Sequence, residues 1–440
     1  MPGRMAPRAS QVQATHPSIH MQQPRPAHLL FLSLLGLALC GAARAADAPA
    51  SEPARPAGWR ISGFGTLGVV HNSEHEADYT SSVLKSNGAG ASRHWSADVD
   101  SRLGMQLDAT LAKRWSAVLQ VVSEQGMDNT YRPRVEWANV KYQVTPELAL
   151  RAGRIALPIF LTADYRKVGY AYPWVRPPVE SYNVLPVTSS DGVDATLRWS
   201  LGPVRNASQV LYGHSAVTLV EPLHVYGRAG IGISNTSDWG ALSMRVNAVS
   251  AEISSNIGSD LFDGFNRLGP AGQALSRRYA LDHERITLAS IGINYDPGTW
   301  FVMAEAGRTN SDSFLGSTRS AYVSAGWRWR TLTPYATWAH VRATGPTMEQ
   351  GLPTAGLPPT LAPAVGALNA GLNALLATIP QQTSAAVGLR WDLRTDMALK
   401  VQYDRVTPHD GSRGTLINLT PRFQSGRTAH VASVALDFVY

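Results

Sequence analysis

From Trp59 to the last residue one pattern recurs: stretches in which apolar side chains occupy every second position, the period of a half-buried strand. In DVDSRLGMQLDA, Val99, Leu103, Met105 and Leu107 alternate with Asp100, Arg102, Gln106 and Asp108. VDATLRW sets Val193, Ala195, Leu197 and Trp199 against Asp194, Thr196 and Arg198; AAVGLRWDL and MALKVQYD repeat the scheme. The chain closes on VASVALDFVY, where Val434, Leu436, Phe438 and Tyr440 share one side and Ser433, Ala435, Asp437 and Val439 the other. About sixteen such segments can be placed, beginning near residues 59, 94, 113, 132, 147, 191, 206, 222, 238, 285, 299, 319, 333, 382, 396 and 428. Ile286 and Leu288 break parity with Ile291, Ile293 and Tyr295, which predicts a bulge there.

The connections alternate. AKR, VTPE, SNTSD, YDPGT, RTLTP and LRTD read as tight turns. Between them lie long links near 71–93, 155–190, 249–284, 343–381 and 407–427, with shorter ones near 124–131, 215–221 and 309–318. Eight of twelve tryptophans sit beside the start or a short turn: Trp59, Trp115, Trp199, Trp239, Trp300, Trp327, Trp329 and Trp391. An indole settles at headgroup level, its ring in hydrocarbon and its N–H wet. A strand in lipid must find partners for all its main-chain groups in neighbouring strands, so such a sheet has to close. The pattern therefore predicts an all-β protein: a transmembrane up-and-down antiparallel β-barrel of about sixteen strands, with short periplasmic turns and long outer loops. Its inward face is rich in charge, including Asp98, Asp100, Arg102, Arg198, Arg245, Glu305, Arg328, Arg330, Arg390, Lys400 and Asp404. A dry core would need matched ion pairs for these, whereas a barrel of this width can hold water.

The start of the chain reads as a targeting segment. HLLFLSLLGLALCGAARA is an apolar run ending in the small-x-small site Ala43-Arg44-Ala45, so residues 1–45 are expected to be a signal peptide cleaved before Ala46. Met21 is an alternative start, and a lipoprotein reading at Cys40 is disfavoured by the bulk of Leu39. Residues 46–58 form a short periplasmic linker and 59–440 the barrel. Without the leader the chain has 35 basic and 32 acidic residues, so its net charge falls from +7 to +3 and gives no case for nucleic acid. Its one cysteine leaves with the leader, so no disulfide framework is expected.

The leader, the even strand count, the alternating loops and the terminal aromatic together resemble a Gram-negative outer-membrane porin over nearly all of the expected mature chain. The resemblance implies residence in the cell outer membrane and passive diffusion of small hydrophilic solutes and ions through a water-filled barrel. It implies outer-membrane lipid and the barrel-assembly machinery as partners, with Phe438 and Tyr440 as the assembly signal and a homotrimer as one option. It also implies that the third outer loop, about residues 155–190, folds inward as the constriction. The Pro-Glu-Phe-Gly-Gly stretch of some enterobacterial porins is absent there, so the constriction geometry does not carry over.

Within that loop Pro173, Trp174, Pro177 and Pro178 supply stiffness, and Asp164, Arg166, Lys167, Arg176 and Glu180 supply charge. These five are expected to face a pore wall of Arg102, Arg198, Arg245, Arg328, Arg390, Lys400 and Asp404, giving a transverse field that favours polar solutes. The apolar stretch AGLPPTLAPAVGALNAGLNALLATIP predicts a short helix at the barrel mouth or against a neighbour. No cofactor or metal is expected: His71 and His75 of HNSEH read as a polar loop. No Ser/His/carboxylate spacing or phosphate-binding glycine loop suggests an enzyme. The alternatives are a substrate-selective outer-membrane channel and, further off, an exported all-β binding protein without a pore.

Overall fold

The computed structural model describes residues 58–183, 186–219 and 221–440. The expected leader, and the linker up to residue 57, lie outside the described residues. Among the described residues the strands are β1 (Gly58–Asn72), β2 (Trp95–Ser96), β3 (Arg102–Ala112), β4 (Trp115–Glu124), β5 (Arg134–Gln143), β6 (Leu148–Ala156), β7 (Ser189–Leu201), β8 (Val204–Thr218), β9 (His224–Trp239), β10 (Leu242–Ser255), β11 (Glu284–Tyr295), β12 (Trp300–Asn310), β13 (Thr318–Trp327), β14 (Leu332–Ala343), β15 (Gln382–Arg394), β16 (Met397–Pro408) and β17 (Ala429–Val439). Four helices lie in the long connections: α1 (Val179–Tyr182), α2 (Ser259–Asn266), α3 (Gly269–Tyr279) and α4 (Ala362–Leu376).

Apart from β2, which is a two-residue pairing beside β1, every strand pairs antiparallel with its sequence neighbours, and β1 pairs with both β3 and β17. The sheet is thus a closed barrel of sixteen strands. At the seam Gly65 faces Phe438, Leu67 faces Leu436 and Val69 faces Val434. The main chains of Gly63 and Tyr440 exchange both hydrogen bonds at 3.0 Å. A Cβ on Gly65 would run into the Phe438 ring, and one on Gly63 into the Tyr440 ring. The two glycines are seats for the terminal aromatics on the outer face.

The alternation seen in the sequence divides the two faces of the wall. Trp59, Ile61 and Leu67 of β1, Val387 of β15 and Val434 of β17 all point outward and are exposed. All eight tryptophans near the short turns are exposed, and form a girdle at that end. Ser62, Thr66 and Asn72 of β1 and Ser433 and Asp437 of β17 point inward and are buried.

Three local expectations change. The second segment begins at Arg102 rather than near 94, because residues 73–101 fold into a compact loop. The Asp78 carboxylate organises that loop, accepting the main-chain N–H of Ser92 at 2.7 Å and of Gly88 at 3.2 Å. SNTSD lies inside β9, and the hairpin turns at Gly240-Ala241 instead. Its polarity has another use: Asn235 and Ser237 point outward and bond Ser208 and Asn206 of β8. No bulge interrupts β11, which pairs in unbroken register with β10 and β12. Ile286 and Leu288 are inward-facing apolar residues, because Leu288 packs against residues of the inserted 157–183 segment and Ile286 against helices at the rim.

The predicted helix in the Ala/Leu-rich stretch is α4. It packs on α2, with Gly264 beneath Leu368 and Gly371 beneath Leu261. Together with Phe314 and Ile379 these helices make a separate apolar cluster at the long-loop end, above β10, β11 and β14.

Gly65→Val would push the Phe438 ring off its seat, a steric change expected to cost about 1–3 kcal/mol. The expected readout is a lower temperature for loss of the compact band on an unboiled detergent gel. An unchanged temperature would remove Gly65 from the seam's stability.

Candidate functional site

Sixteen strands enclose more space than their own side chains fill. The chain supplies the difference from the link between β6 and β7. Residues 157–183, with Val187, turn inward instead of running over the outside. Ile155, Leu157, Ile159, Phe160, Leu161, Tyr172, Trp174 and Tyr182 bury against Leu211 of β8, Leu288 of β11, Phe301 and Met303 of β12, Tyr322 of β13 and Tyr335 and Ala339 of β14. The Trp174 indole N–H donates to Ser324 Oγ at 2.8 Å. Inward apolar residues on β11 to β14 thus form a platform for the inserted segment, not a lumen wall.

An irregular segment inside a barrel brings main-chain carbonyls that no strand can satisfy. Two cations of the wall meet them. Lys400 Nζ donates to the carbonyls of Gly169 at 2.7 Å, Tyr172 at 2.7 Å and Trp174 at 2.8 Å, and pairs with Asp437 at 2.8 Å. Arg390 donates to the carbonyls of Tyr170 at 2.6 Å and Tyr172 at 3.1 Å, and pairs with Asp392 at 2.8 Å. Asp437 is held in turn by Thr66 Oγ1 at 2.5 Å. Lys400, Asp437 and Arg390 are all buried to 1% or less, so these charges are fixed and dry.

Arg176 of the segment binds β16 and β17 again, together with Asp100 at the end of the 73–101 loop. It makes a forked contact with Asp100 at 2.9 and 2.6 Å, donates to Ser433 Oγ at 2.6 Å, and lies 3.4 Å from Asp404. Its guanidinium also stacks over Tyr79. Gln402 joins this group, donating to Asp404 at 2.7 Å and accepting from the Val175 N–H at 3.0 Å. Glu180 accepts from Gln382 at 2.6 Å. Glu305 of β12 accepts the Leu161 N–H at 3.2 Å, Ser290 Oγ at 3.1 Å and Tyr182 Oη at 3.3 Å.

The segment's other charged stretch, Asp164 to Lys167, crosses the lumen. Asp164 pairs with Arg245 of β10 at 2.8 Å, and Lys167 pairs with Glu124 of β4. Arg166 donates to the Tyr182 carbonyl at 2.6 Å and stacks over Phe160 and Tyr182. The stretch is therefore a strap tied at both ends. Opposite it stand β5 to β9, whose inward faces the strap does not cover. They carry the half-buried side chains of Trp137, Asn139, Lys141, Arg151 and Arg198. Arg151 pairs with Asp194 at 2.5 Å. Lys141 sits opposite Arg151 in the β5–β6 ladder. This leaves a cationic stripe facing the strap.

The expected site residues thus separate. Asp164, Arg166, Lys167 and Arg245 belong to the strap or its tether, and Arg198 to the stripe across from it. Arg102 lies on the inward face of β3, opposite Glu124 in the ladder. Contrary to expectation, Arg390, Lys400 and Asp404 do not face open space, because the segment lies on them. Arg176 and Glu180 do not oppose wall arginines, because both are buried against other partners. Arg328 is not at this level: it is bound to Asp296 at 2.6 Å beside a short turn, with Arg330 exposed in the same region. Lys141, Arg151 and Asp100 were missed as site residues. Asp100 was read as inward but not as a site residue, and Lys141 and Arg151 were not singled out, because alternation alone does not rank one charge above another.

No protein-family model matches the chain, and a search of curated proteins gave no match. Solved structures do match its fold. An anion-selective porin from Comamonas acidovorans aligns with a TM-score of 0.53 at 11% identity, covering 88% of this chain and 100% of that one. The outer-membrane channel DcaP of Acinetobacter baumannii aligns with a TM-score of 0.51 at 11% identity, covering 87% of this chain and 98% of that one. At such identity the likeness is one of fold, and the fold is the porin-type barrel.

Lys400→Met removes the ion-pair partner of Asp437 and one donor from each of three carbonyls, a change of the kind that costs about 3–5 kcal/mol. The inserted segment is expected to loosen, with trypsin cleavage at Arg166 and Lys167 accelerating at least tenfold. Cleavage at the parent rate would remove Lys400 from the anchor.

Proposed function

We propose that this porin-fold barrel is an outer-membrane channel through which small hydrophilic solutes and ions diffuse passively. The observation that carries the reading is the strap from Asp164 to Lys167. It is tied to β10 at one end and β4 at the other, and it faces the polar inner surface of β5 to β9. Support also comes from the exposed apolar belt with its tryptophan girdle, and from the porin fold of the similar structures. Passive conduction needs no catalytic group or cofactor, so the reading is non-enzymatic.

In this proposal rate and selectivity are set between the strap (Asp164, Arg166, Lys167) and the stripe (Lys141, Arg151, Arg198). The segment's remaining charges keep it in place. Asp164 and Lys167 each carry a partner of opposite sign, and Asp194 takes up Arg151. Lys141 and Arg198 make no ion pair among the described residues, so the open side carries surplus positive charge and should prefer anions. The Comamonas porin is described as anion-selective, which favours the same sign for a barrel of this fold. The rest of the proposal follows the sequence: export by a cleaved leader, assembly guided by Phe438 and Tyr440, and a homotrimer as one arrangement in the membrane.

A second reading, a channel selective for one anionic solute class, is favoured by the bulk of the inserted segment, which fills the side of the lumen along β11 to β14. Conductance with candidate solutes separates the two: block that saturates with concentration supports selectivity, and its absence supports a general pore.

Under a salt gradient across a planar bilayer, Lys141→Glu with Arg198→Glu is expected to move the reversal potential toward cation preference. Arg328→Gln, at the short-turn rim, should leave it unchanged. An unmoved potential in the double variant would exclude this stripe from selectivity.

A further inference from the structure

The outer wall carries a row of charge that conduction does not use. Arg308 is opposite Arg319 in the β12–β13 ladder, and Arg319 is opposite Arg342 in the β13–β14 ladder. All three are exposed, and all three share parity with outward side chains: Trp300 on β12, Trp327 and Val323 on β13 and Trp338 on β14. Three guanidinium-bearing residues therefore stand side by side on three adjacent strands, spanning about 10 Å across the wall.

Like charges directly opposite one another in a sheet are destabilising. Here no carboxylate relieves them: among the described residues none of the three arginines makes an ion pair. Arg308 Nε donates to Asn310 Oδ1 at 2.8 Å, which fixes its stem and leaves the fork free. The Glu284 carboxylate, at the start of β11, accepts the Asp312 N–H at 2.9 Å.

Height supplies the second observation. Arg308 lies eight residues from Trp300, and Arg319 eight from Trp327. At about 3.3 Å per residue and a tilt of roughly 40°, the arginines sit about 20 Å above the tryptophan girdle. The outward residues between are Val302, Ala304 and Ala306 on β12, and Ala321, Val323 and Ala325 on β13. The row thus stands at the far edge of the apolar belt, where the headgroups of the opposite leaflet begin.

We propose that Arg308, Arg319 and Arg342 form a binding site for the phosphate of an anionic lipid headgroup. A guanidinium meets phosphate with two parallel hydrogen bonds, and a row of three offers a bridging group more charge than one arginine can. The bound phosphate would relieve the repulsion between the ladders and hold the lipid against β12 to β14. The site rests on the membrane-embedded reading of the outer wall, but not on conduction.

The test uses the purified full chain in detergent, titrated with dioleoyl phosphatidic acid and followed by native mass spectrometry. The parent protein is expected to bind it at least tenfold more tightly than phosphatidylcholine. The triple variant Arg308→Gln, Arg319→Gln, Arg342→Gln should lose that preference. Arg319→Gln alone, which leaves the flanking arginines and the ladder intact, should weaken it severalfold. Equal binding by parent and triple variant, with both showing the compact unboiled band, would overturn the site. Displacement of the lipid by inorganic phosphate at equal concentration would overturn the lipid as the occupant. Bilayer conductance of the same proteins separates the two proposals: unchanged conductance with lost lipid binding supports this site, and a parent protein that does not conduct sinks the channel while leaving the lipid result to stand on its own.

Discussion

Every other property of this barrel follows from the absence of an open edge. Once β1 has paired with β17, the main chain of all sixteen strands is satisfied within the wall. Side chains are then free to serve two solvents. The outward set is apolar through the belt, with polar pairs such as Asn235 and Ser237 bonding one another and the arginine row of β12 to β14 standing at its far edge. The inward set is polar where it meets water; under the inserted segment it is largely apolar along β11 to β14 and charged along β15 to β17. The seam that makes this possible is short of side-chain volume on one strand, at Gly63 and Gly65, and rich in it on the other, at Phe438 and Tyr440.

The inward charges form two populations with different physics. Lys400, Arg390, Asp437, Arg176, Asp100 and Asp404 are desolvated and mutually compensated, and their geometry is set by hydrogen bonds as much as by charge. A buried pair of this kind contributes less net stability than its Coulomb energy suggests, but losing one member is costly. That asymmetry gives the inserted segment one position. The second population, Lys141, Arg151 and Arg198 with the strap opposite, keeps contact with solvent. Charges there remain available to a passing ion.

The sequence made the wall legible because lipid imposes a period of two on one face and closure imposes alternating loops. Segment starts near 285, 299, 319, 333 and 382 fall within a residue of β11 to β15. The limits of the long 155–190 link were legible for the same reason; its inward course came only from the porin resemblance, and α4 from the Ala/Leu-rich stretch. Alternation fails wherever the inner face has more than one neighbour. Leu288 looked like a break in phase because it faces another part of the chain, and Lys400 looked like a pore residue because nothing in MALKVQYD records that Gly169, Tyr172 and Trp174 lie above it. Whether an inward charge touches water or a carbonyl depends on the path of residues far away in sequence.

The Lys400 and Arg390 contacts have an evolutionary implication. Both cations grip peptide oxygens, which every amino acid supplies alike. These carbonyl contacts do not themselves read side chains, but other ties do: Gly169 leaves no room for a Cβ beside Asp437, and the Trp174 indole is held by Ser324. Descendants could exchange letters of the segment that carry no such tie, and with them the texture of the passage, while the docking point stayed where it is. A barrel held in this way separates the task of retaining its obstruction from the task of choosing what gets past it.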